Sequence, residues 1–180
     1  TRDVELATDV RARDKAIDQL EILINDEAAK LLALRSPTAI DLRLVLSVIK
    51  VASNLERIGD YSKNMAKRTT VLMEMPHVFD KGQGLRRLAR EVELMLKDAL
   101  DAYVQRDVNL AEEVIQRDRD VDQMYSGQFR EFLTYMMEDP RNITPCMHLH
   151  FIAKNIERMG DHVTSIAEQV IYIVTGDRPT

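Results

Sequence analysis

Apolar residues recur every three or four positions along most of the chain, the spacing that places side chains on one face of an α-helix. No segment shows the strict alternation of a half-buried strand. One apolar seam near the C-terminus continues for three heptads, through Ile152, Ile156, Met159, Val163, Ile166, Val170 and Ile173. Proline and glycine are few and divide the chain into helix-length pieces. We therefore predict five helices, near residues 3–34, 38–72, 85–104, 107–138 and 144–175.

The sequence contains two copies of one unit. Residues 2–20 match residues 106–124 at an offset of 104, with 10 identities in 19 positions. Residues 51–66 match residues 152–167 at an offset of 101, with identities at Ala52, Asn54, Glu56, Arg57, Gly59, Asp60 and Ala66. The three-residue difference between the offsets falls between the two matches, where a loop or a helix end absorbs it.

The second copy is preceded by one more predicted helix, at residues 85–104, than the first copy. This asymmetry predicts an all-α fold: a tandem repeat of two three-helix bundles in which the first helix of the first bundle is absent. The predicted parts are a first repeat at 1–75, a linker at 76–84 and a complete second repeat at 85–180. A naturally asymmetric bundle is the alternative. We favour the absent helix because the chain starts with Thr rather than Met.

Charge and composition exclude several classes of protein. The chain has 30 acidic and 25 basic residues and a formal net charge of −5, opposite in sign to that of a general nucleic-acid binder. A single cysteine, Cys146, excludes a disulfide framework and a cysteine-based zinc site. The richest apolar stretch, residues 42–55, is too short to span a bilayer and is interrupted by charge. We therefore expect a helical protein without a membrane span.

Acidic pairs one helical turn apart recur at matching places in the two copies. Carboxylates four positions apart lie on the same helix face and repel each other by about 0.2–0.5 kcal/mol. Their presence in both copies, among many changed neighbours, indicates a shared role. The pairs are Asp14/Asp18, Glu56/Asp60, Asp118/Asp122 and Glu157/Asp161.

Two such pairs on adjacent helices predict a group of hard oxygen ligands in each repeat. This donor set suits Fe, Mn, Mg or Ca, and zinc is compatible with carboxylate and water ligands. Carboxylates that bridge would hold more than one cation. Asn64 and Ser165, one turn further along, would add an oxygen ligand or hold a water. The alternative is a solvated acidic stripe paired with nearby arginines, and the spacing alone does not separate the two.

A glycine stands inside a predicted helix between the acids of each second pair. Gly59 and Gly160 each cost roughly 1 kcal/mol of helix stability relative to Ala. The same cost at the same place in both copies indicates a close approach by a cation, a ligand or a neighbouring helix. A tight helix crossing is the simplest of these explanations.

Other candidate chemistry is sparse. His148 and His150 point to different helix faces, and His162 is replaced by Tyr61 in the first copy, so we expect solvated or core-edge histidines. The chain has no Gly-rich phosphate loop, nucleophile elbow or Cys–His dyad. We therefore predict no catalytic residues and no enzymatic activity.

The doubled Glu-Arg-apolar-Gly-Asp segment, at 56–60 and 157–161, resembles the signature of the PhoU family. Asp41-Leu42-Arg43 before the first copy, and the segment that runs from 166 to 176, are also similar to that family. The resemblance covers essentially the whole chain. It implies tandem three-helix bundles and multinuclear iron or zinc clusters, with manganese or magnesium also associated. The ligand positions it implies are Glu56, Asp60, Glu157, Asp161, Asp14, Asp18, Asp118 and Asp122.

The resemblance also implies a cytoplasmic negative regulator of phosphate uptake and of phosphate-starvation signalling. The implied partners are the ATPase of the phosphate ABC transporter, the phosphate-sensing histidine kinase and a second copy in a homodimer. A membrane would be reached only through these partners. The enzyme alternative is a ferritin-like di-metal oxidase, but that fold uses Glu-x-x-His pairs, whereas Glu157 and His162 are five positions apart. A metal-free helical interaction module is the third hypothesis.

Overall fold

The computed structural model describes residues 4–35, 37–75 and 83–177. These residues form helices and short connections, without a strand. A short 3-10 turn, Pro140–Asn142, separates the last two helices. The five α-helices are α1 (Val4–Arg35), α2 (Ala39–Met73), α3 (Gln83–Gln105), α4 (Val108–Glu138) and α5 (Ile143–Thr175). The predicted all-α class and all five predicted helices are confirmed, with ends that differ by no more than two residues.

Local signals explain where the helices begin and end. Asp107 caps α4, and its side chain accepts a hydrogen bond from the backbone N–H of Leu110. Gly176 ends α5 in the left-handed conformation at φ 85°, as its position before Pro179 predicts. Thr38 stands at the N-cap of α2, but its hydroxyl donates to Asp41 instead of capping the backbone. Ser36 and residues 76–82 of the predicted linker lie outside the described residues.

Helix α5 is the centre of the molecule. It packs on α3 and α4 on one side and on α2 on the other, and α2 in turn packs on α1. The predicted seam of α5 is buried at six of its seven positions, and Met159 is partly buried. In α3 the apolar residues Leu85, Leu88, Val92, Met95, Ala99 and Ala102 are also buried. The core therefore lies mainly among α3, α4 and α5.

The second repeat is a complete three-helix bundle, whereas the first repeat contributes two described helices. Val92 of α3 lies beside Gly160 of α5 and fills the space next to it. At the matching place beside Gly59, a groove of about 500 Å³ runs between α1 and α2, lined by apolar residues that include Leu20 and Ile24. Large apolar side chains of α1 are consequently exposed, namely Val4, Leu6, Leu20, Ile22, Leu23, Leu31 and Leu34.

Two arginines at matching repeat positions differ in the same way between the complete and the two-helix bundle. Arg117 of α4 binds two acids of α3: its Nε and Nη2 lie 2.8 Å from Glu91 and its Nη1 lies 2.6 Å from Asp98. Its counterpart Arg13 pairs at 2.8 Å with Asp9 on its own helix, and the Arg13 side chain is 78% exposed. α3 is thus joined to α4 by charge as well as by apolar packing.

In the part of the chain that is described, no helix is long and apolar enough to cross a bilayer.

Candidate metal site

The first acidic pair of the first repeat is placed at the crossing of α1 and α2. Asp14 of α1 lies against Gly59 of α2, where a Cβ atom would come within 3.3 Å of the Asp14 Oδ1 atom and of Ile17. The Asp14 side chain is only 2% exposed. Only a glycine lets the carboxylate approach this closely without displacement of a neighbour.

The second repeat has the same arrangement at the crossing of α4 and α5. Asp118 of α4 lies against Gly160 of α5, and a Cβ atom there would come within 3.3 Å of Asp118 Oδ1 and 3.4 Å of Val121. Asp14 and Asp118 are repeat counterparts, as are Gly59 and Gly160. The tight helix crossing expected from the two glycines is therefore present, and in both cases the group that approaches is a carboxylate of the neighbouring helix.

Positive side chains of α2 form ion pairs with the carboxylates of the first repeat. Lys63 Nζ lies 2.5 Å from Asp14 Oδ2 and 3.3 Å from Asp60 Oδ1. Arg57 lies 3.6 Å from Glu56 and 4.0 Å from Asp60. Burial raises the pKa of Glu56, and Asp60, Glu21 and Asp18 raise it further, while Arg57 lowers it.

The neighbouring acids of the second repeat also raise one another's pKa values. Burial and then the neighbouring Asp122 raise the pKa of Asp118. Asp161 is exposed, yet desolvation, Glu157 and Asp118 raise its pKa to about 6. Lys154 donates a hydrogen bond to Glu157 Oε1 at 2.7 Å. Raised pKa values of neighbouring acids are typical of sites that bind a cation, since the cation relieves the repulsion.

Buried oxygen atoms without a hydrogen-bond partner test whether a metal fits. Asp14 Oδ1, Asp118 Oδ1 and Glu157 Oε2 are buried and lack such a partner. Unpaired buried oxygens are unfavourable unless something occupies them, and carboxylate oxygens are the ligands that Mg²⁺ and Mn²⁺ prefer. The donor chemistry therefore fits a hard cation. Within the described ranges, however, no group of three or more Asp, Glu, His or Cys side chains is close enough together to hold one.

The remaining predicted ligands lie at the edges of these two faces. Asp18 and Asp122 follow Asp14 and Asp118 by one turn and interact electrostatically with the acids of the paired helix. Asn64 is exposed and Ser165 is half-buried.

Sequence reasoning missed the lysines of both faces and Glu21. Lys63 stands where the second copy has Thr164, and Lys154 stands where the first copy has Ser53. These differences were visible in the alignment of the two copies. Their significance depends on which side chains of α1 and α4 they reach, and the repeat spacing does not give that.

Two histidines have packing roles. His162 Nδ1 lies 2.8 Å from Asn54 Oδ1, across the α2–α5 contact that joins the two repeats. Since the Asn54 amide nitrogen donates to the backbone carbonyl of Lys50, the Asn54 oxygen faces His162 as an acceptor and the His162 Nδ1 carries the proton. Burial lowers the pKa of His162 and Arg57 lowers it further. His150 lies among Tyr125, Phe129 and Phe151.

Comparison with known proteins finds homologues that match nearly the whole of this chain and about three quarters of their own length. A protein of Rhizobium meliloti (strain 1021), named phosphate-specific transport system accessory protein PhoU homolog, is 45% identical over 177 residues, 98% of this chain and 75% of the homologue. A homologue of the same name in Caulobacter vibrioides (strain NA1000 / CB15N) is 45% identical over 99% of this chain and 78% of its own length.

Two crystal structures have the same fold. PhoU from Pseudomonas aeruginosa superposes with a TM-score of 0.92 at 41% identity, over 98% of this chain and 84% of that protein. The phosphate transport system regulatory protein PhoU from Streptococcus pneumoniae superposes with a TM-score of 0.90 at 29% identity, over 99% of this chain and 84% of that protein. The PhoU domain matches residues 1–69 and 85–170. Sequence, fold and the duplicated acid–glycine crossings agree, and the chain belongs to the PhoU domain family.

Proposed function

We propose that this protein is a negative regulator of phosphate uptake and of phosphate-starvation signalling, and that it acts as a helical adaptor without enzymatic activity. The homologues named as accessory proteins of the phosphate-specific transport system support the first part. The helical structure supports the second, because its chemistry-bearing residues are carboxylates at helix crossings rather than a nucleophile with a base.

The observation that carries the proposal is the duplicated crossing at Asp14/Gly59 and Asp118/Gly160 in a chain that matches the PhoU domain in both repeats. In this proposal the acidic faces bind metal ions, iron or zinc in multinuclear form, or manganese or magnesium. Asp14, Glu56 and Asp60 would contribute in the first repeat, and Asp118, Glu157 and Asp161 in the second. The bound ions would neutralise the mutual repulsion of the acids and hold the two helices of each crossing together.

The proposed partners are the ATPase subunit of the phosphate ABC transporter and the phosphate-sensing histidine kinase. The protein would meet them in the cytoplasm as a homodimer and would reach the membrane only through them. Exposed apolar side chains on α1 and on the C-terminal part of α4, such as Leu23 and Met137, give it surface with which to bind other proteins.

A gene deletion tests the regulatory role. Without the protein, we expect phosphate-starvation genes to be expressed constitutively in phosphate-rich medium, and expression of the intact gene to restore repression. Normal repression in the deletion strain would refute the role. For the assignment as a non-enzyme, the protein should not increase the rate at which added ferrous iron consumes oxygen in buffer alone, whereas sustained turnover above that rate would favour an oxidase.

A binding measurement tests the partners separately. The ATPase subunit and the cytoplasmic part of the kinase are purified and immobilised separately. Each should retain the wild-type protein and should fail to retain the Leu23→Lys/Met137→Lys variant. The matched control changes Gln19→Lys and Thr134→Lys, at exposed polar positions of the same two helices, should leave retention unaltered. Retention by neither partner would contradict the adaptor mechanism, even if the deletion phenotype were as expected.

A further inference from the structure

We call Asp14, Asp18, Glu21, Glu56 and Asp60 the first acidic face, and Asp118, Asp122, Glu157 and Asp161 the second. We propose that the Lys63 ammonium group lies in the first acidic face as a fixed positive charge. The two repeats consequently bind divalent cations unequally, the second repeat before the first. This inference rests on the proposed metal binding. It adds an order of occupation and names the residue that sets it.

The first step is the position of the Lys63 ammonium group. It lies between Asp14 of α1 and Asp60 of α2, at 2.5 Å and 3.3 Å from their carboxylate oxygens. Asp14 is the most deeply buried acid of the described residues, and its Oδ1 atom has no hydrogen-bond partner. A lysine ammonium group carries a positive charge at neutral pH. The oxygens that would serve a metal in the first repeat therefore already face a positive charge.

The second step is the absence of this charge at the matching place. Position 164 is a threonine, whose hydroxyl donates to the Gly160 carbonyl at 3.0 Å. Asp118 is the counterpart of Asp14, but no lysine at position 164 pairs with it. Its Oδ1 atom lies beside Gly160 without a hydrogen-bond partner. Lys154 binds Glu157 from the other end of the face, at a position where the first repeat has Ser53.

The other charges of the two faces do not reverse this difference. The first face has an additional acid, Glu21, but Arg57 is close to both Glu56 and Asp60. In the second face, Asp118, Asp122, Glu157 and Asp161 repel one another, and Lys154 is the lysine in contact with them. A divalent cation that enters the first face must displace the Lys63 ammonium or stay beside it, whereas one that enters the second face mainly relieves repulsion between acids.

A reciprocal exchange at positions 63 and 164 tests the inference. Chelator-treated protein is titrated with Mn²⁺ alone, and free Mn²⁺ is counted by electron paramagnetic resonance while the heat of binding is recorded. The wild type should show one tighter class of site, which Asp161→Asn removes, and a weaker class, which Asp60→Asn removes. Lys63→Thr should tighten the weaker class by about tenfold or more, and Thr164→Lys should weaken the tighter class by a similar factor.

Matched variants control for the change in net charge. Lys67→Thr removes the same charge one turn further along α2, where the side chain is exposed, and Thr134→Lys adds one at an exposed position of α4. Neither should alter Mn²⁺ affinity by more than about twofold, because exposed charges at this distance are screened.

The outcomes separate this inference from the metal proposal on which it rests. If the wild type and Lys63→Thr bind Mn²⁺ with the same two affinities, or if Lys67→Thr has the same effect as Lys63→Thr, the role of Lys63 is wrong and metal binding stands. If neither the wild type nor Lys63→Thr binds Mn²⁺ at millimolar concentration, the metal proposal is wrong and the inference falls with it. Far-ultraviolet circular dichroism of each variant confirms that the helices are retained.

Discussion

Gly59 and Gly160 occupy matching positions, but their neighbours differ in how far they can move. Gly59 faces Asp14 and Ile17 at the edge of an open groove, where both side chains have room to shift. Gly160 faces Asp118, Val121 and Val92, and the two valines are almost fully buried among α3, α4 and α5. The same substitution should therefore have opposite effects in the two repeats.

Alanine at the two glycines tests this difference. Gly59→Ala should be neutral or should raise the free energy of unfolding by up to about 1 kcal/mol, since Ala favours the helix and the neighbours give way. Gly160→Ala should lower it by about 1–3 kcal/mol, because the packed core cannot take the added methyl group without strain. Urea denaturation of both variants measures the effects, and equal changes at the two sites would contradict the packing described.

Asp161 gives a prediction for the dependence of stability on pH. Its pKa is raised to about 6 from the model-peptide value of 3.8, so the folded state binds its proton more tightly than the unfolded state. The carboxylate therefore destabilises the fold above pH 6, and the penalty disappears as the pH falls below about 4. In the presence of chelator, Asp161→Asn should stabilise the protein at pH 7.5 by about 1 kcal/mol, the shift being discounted for exposure, and should have no effect at pH 4.

A stabilisation by Asp161→Asn that is the same at both pH values would show that the carboxylate does not repel its neighbours in the folded state. Asp9→Asn is the control, since Asp9 is an exposed acid paired with Arg13 on the surface. Asp9→Asn should change the free energy of unfolding by no more than about 0.5 kcal/mol at either pH.

The ion pair between Lys63 and Asp14 shows the limit of sequence reasoning for single residues. The acidic pairs and the two glycines were recognisable because each occurs twice at a constant offset. The lysine occurs in one copy only, and its partner is 49 positions away on another helix. Only the crossing of α1 and α2 brings the two side chains together, so local spacing could not predict that a cation of the chain lies on the first face.

The helices themselves were largely predictable. The apolar seam of α5, the N-cap Asp107 and the C-terminal Gly176 are local signals that the folded chain uses directly. The interactions between helices were less accessible. Arg13 and Arg117 are identical in the repeat alignment, yet one pairs along its own helix and the other joins two helices.

The two arginines provide a matched pair of variants. Arg117→Met should lower the free energy of unfolding by about 1–2 kcal/mol, because it leaves Glu91 and Asp98 of α3 without their shared, half-buried partner. Arg13→Met should change it by no more than about 0.5 kcal/mol, as is usual for an exposed pair within one helix. Thermal or urea unfolding measures both, and a loss as large at Arg13 as at Arg117 would contradict the asymmetry of the two bundles.

For the molecule as a whole, duplication accounts for both the fold and the candidate site. Two copies of one helical unit meet through α2 and α5, and each copy carries an acid pressed against a glycine at its own helix crossing. The sequence predicted this organisation because the repeat preserves both the apolar seams and the acids. The repeat spacing does not show which helix faces are covered, and α1 leaves many large apolar side chains exposed.

The central claim is that the matching acidic faces bind metal ions. The most direct test is the metal content of the purified full chain after equilibration with Mn²⁺ or Fe²⁺ and dialysis, measured by mass spectrometry beside the Asp60→Ala/Asp161→Ala double variant. We predict that the native protein retains at least one cation per chain and that the double variant retains almost none. Equal metal content in the two proteins would contradict the claim and would favour a helical adaptor that works through protein contacts alone.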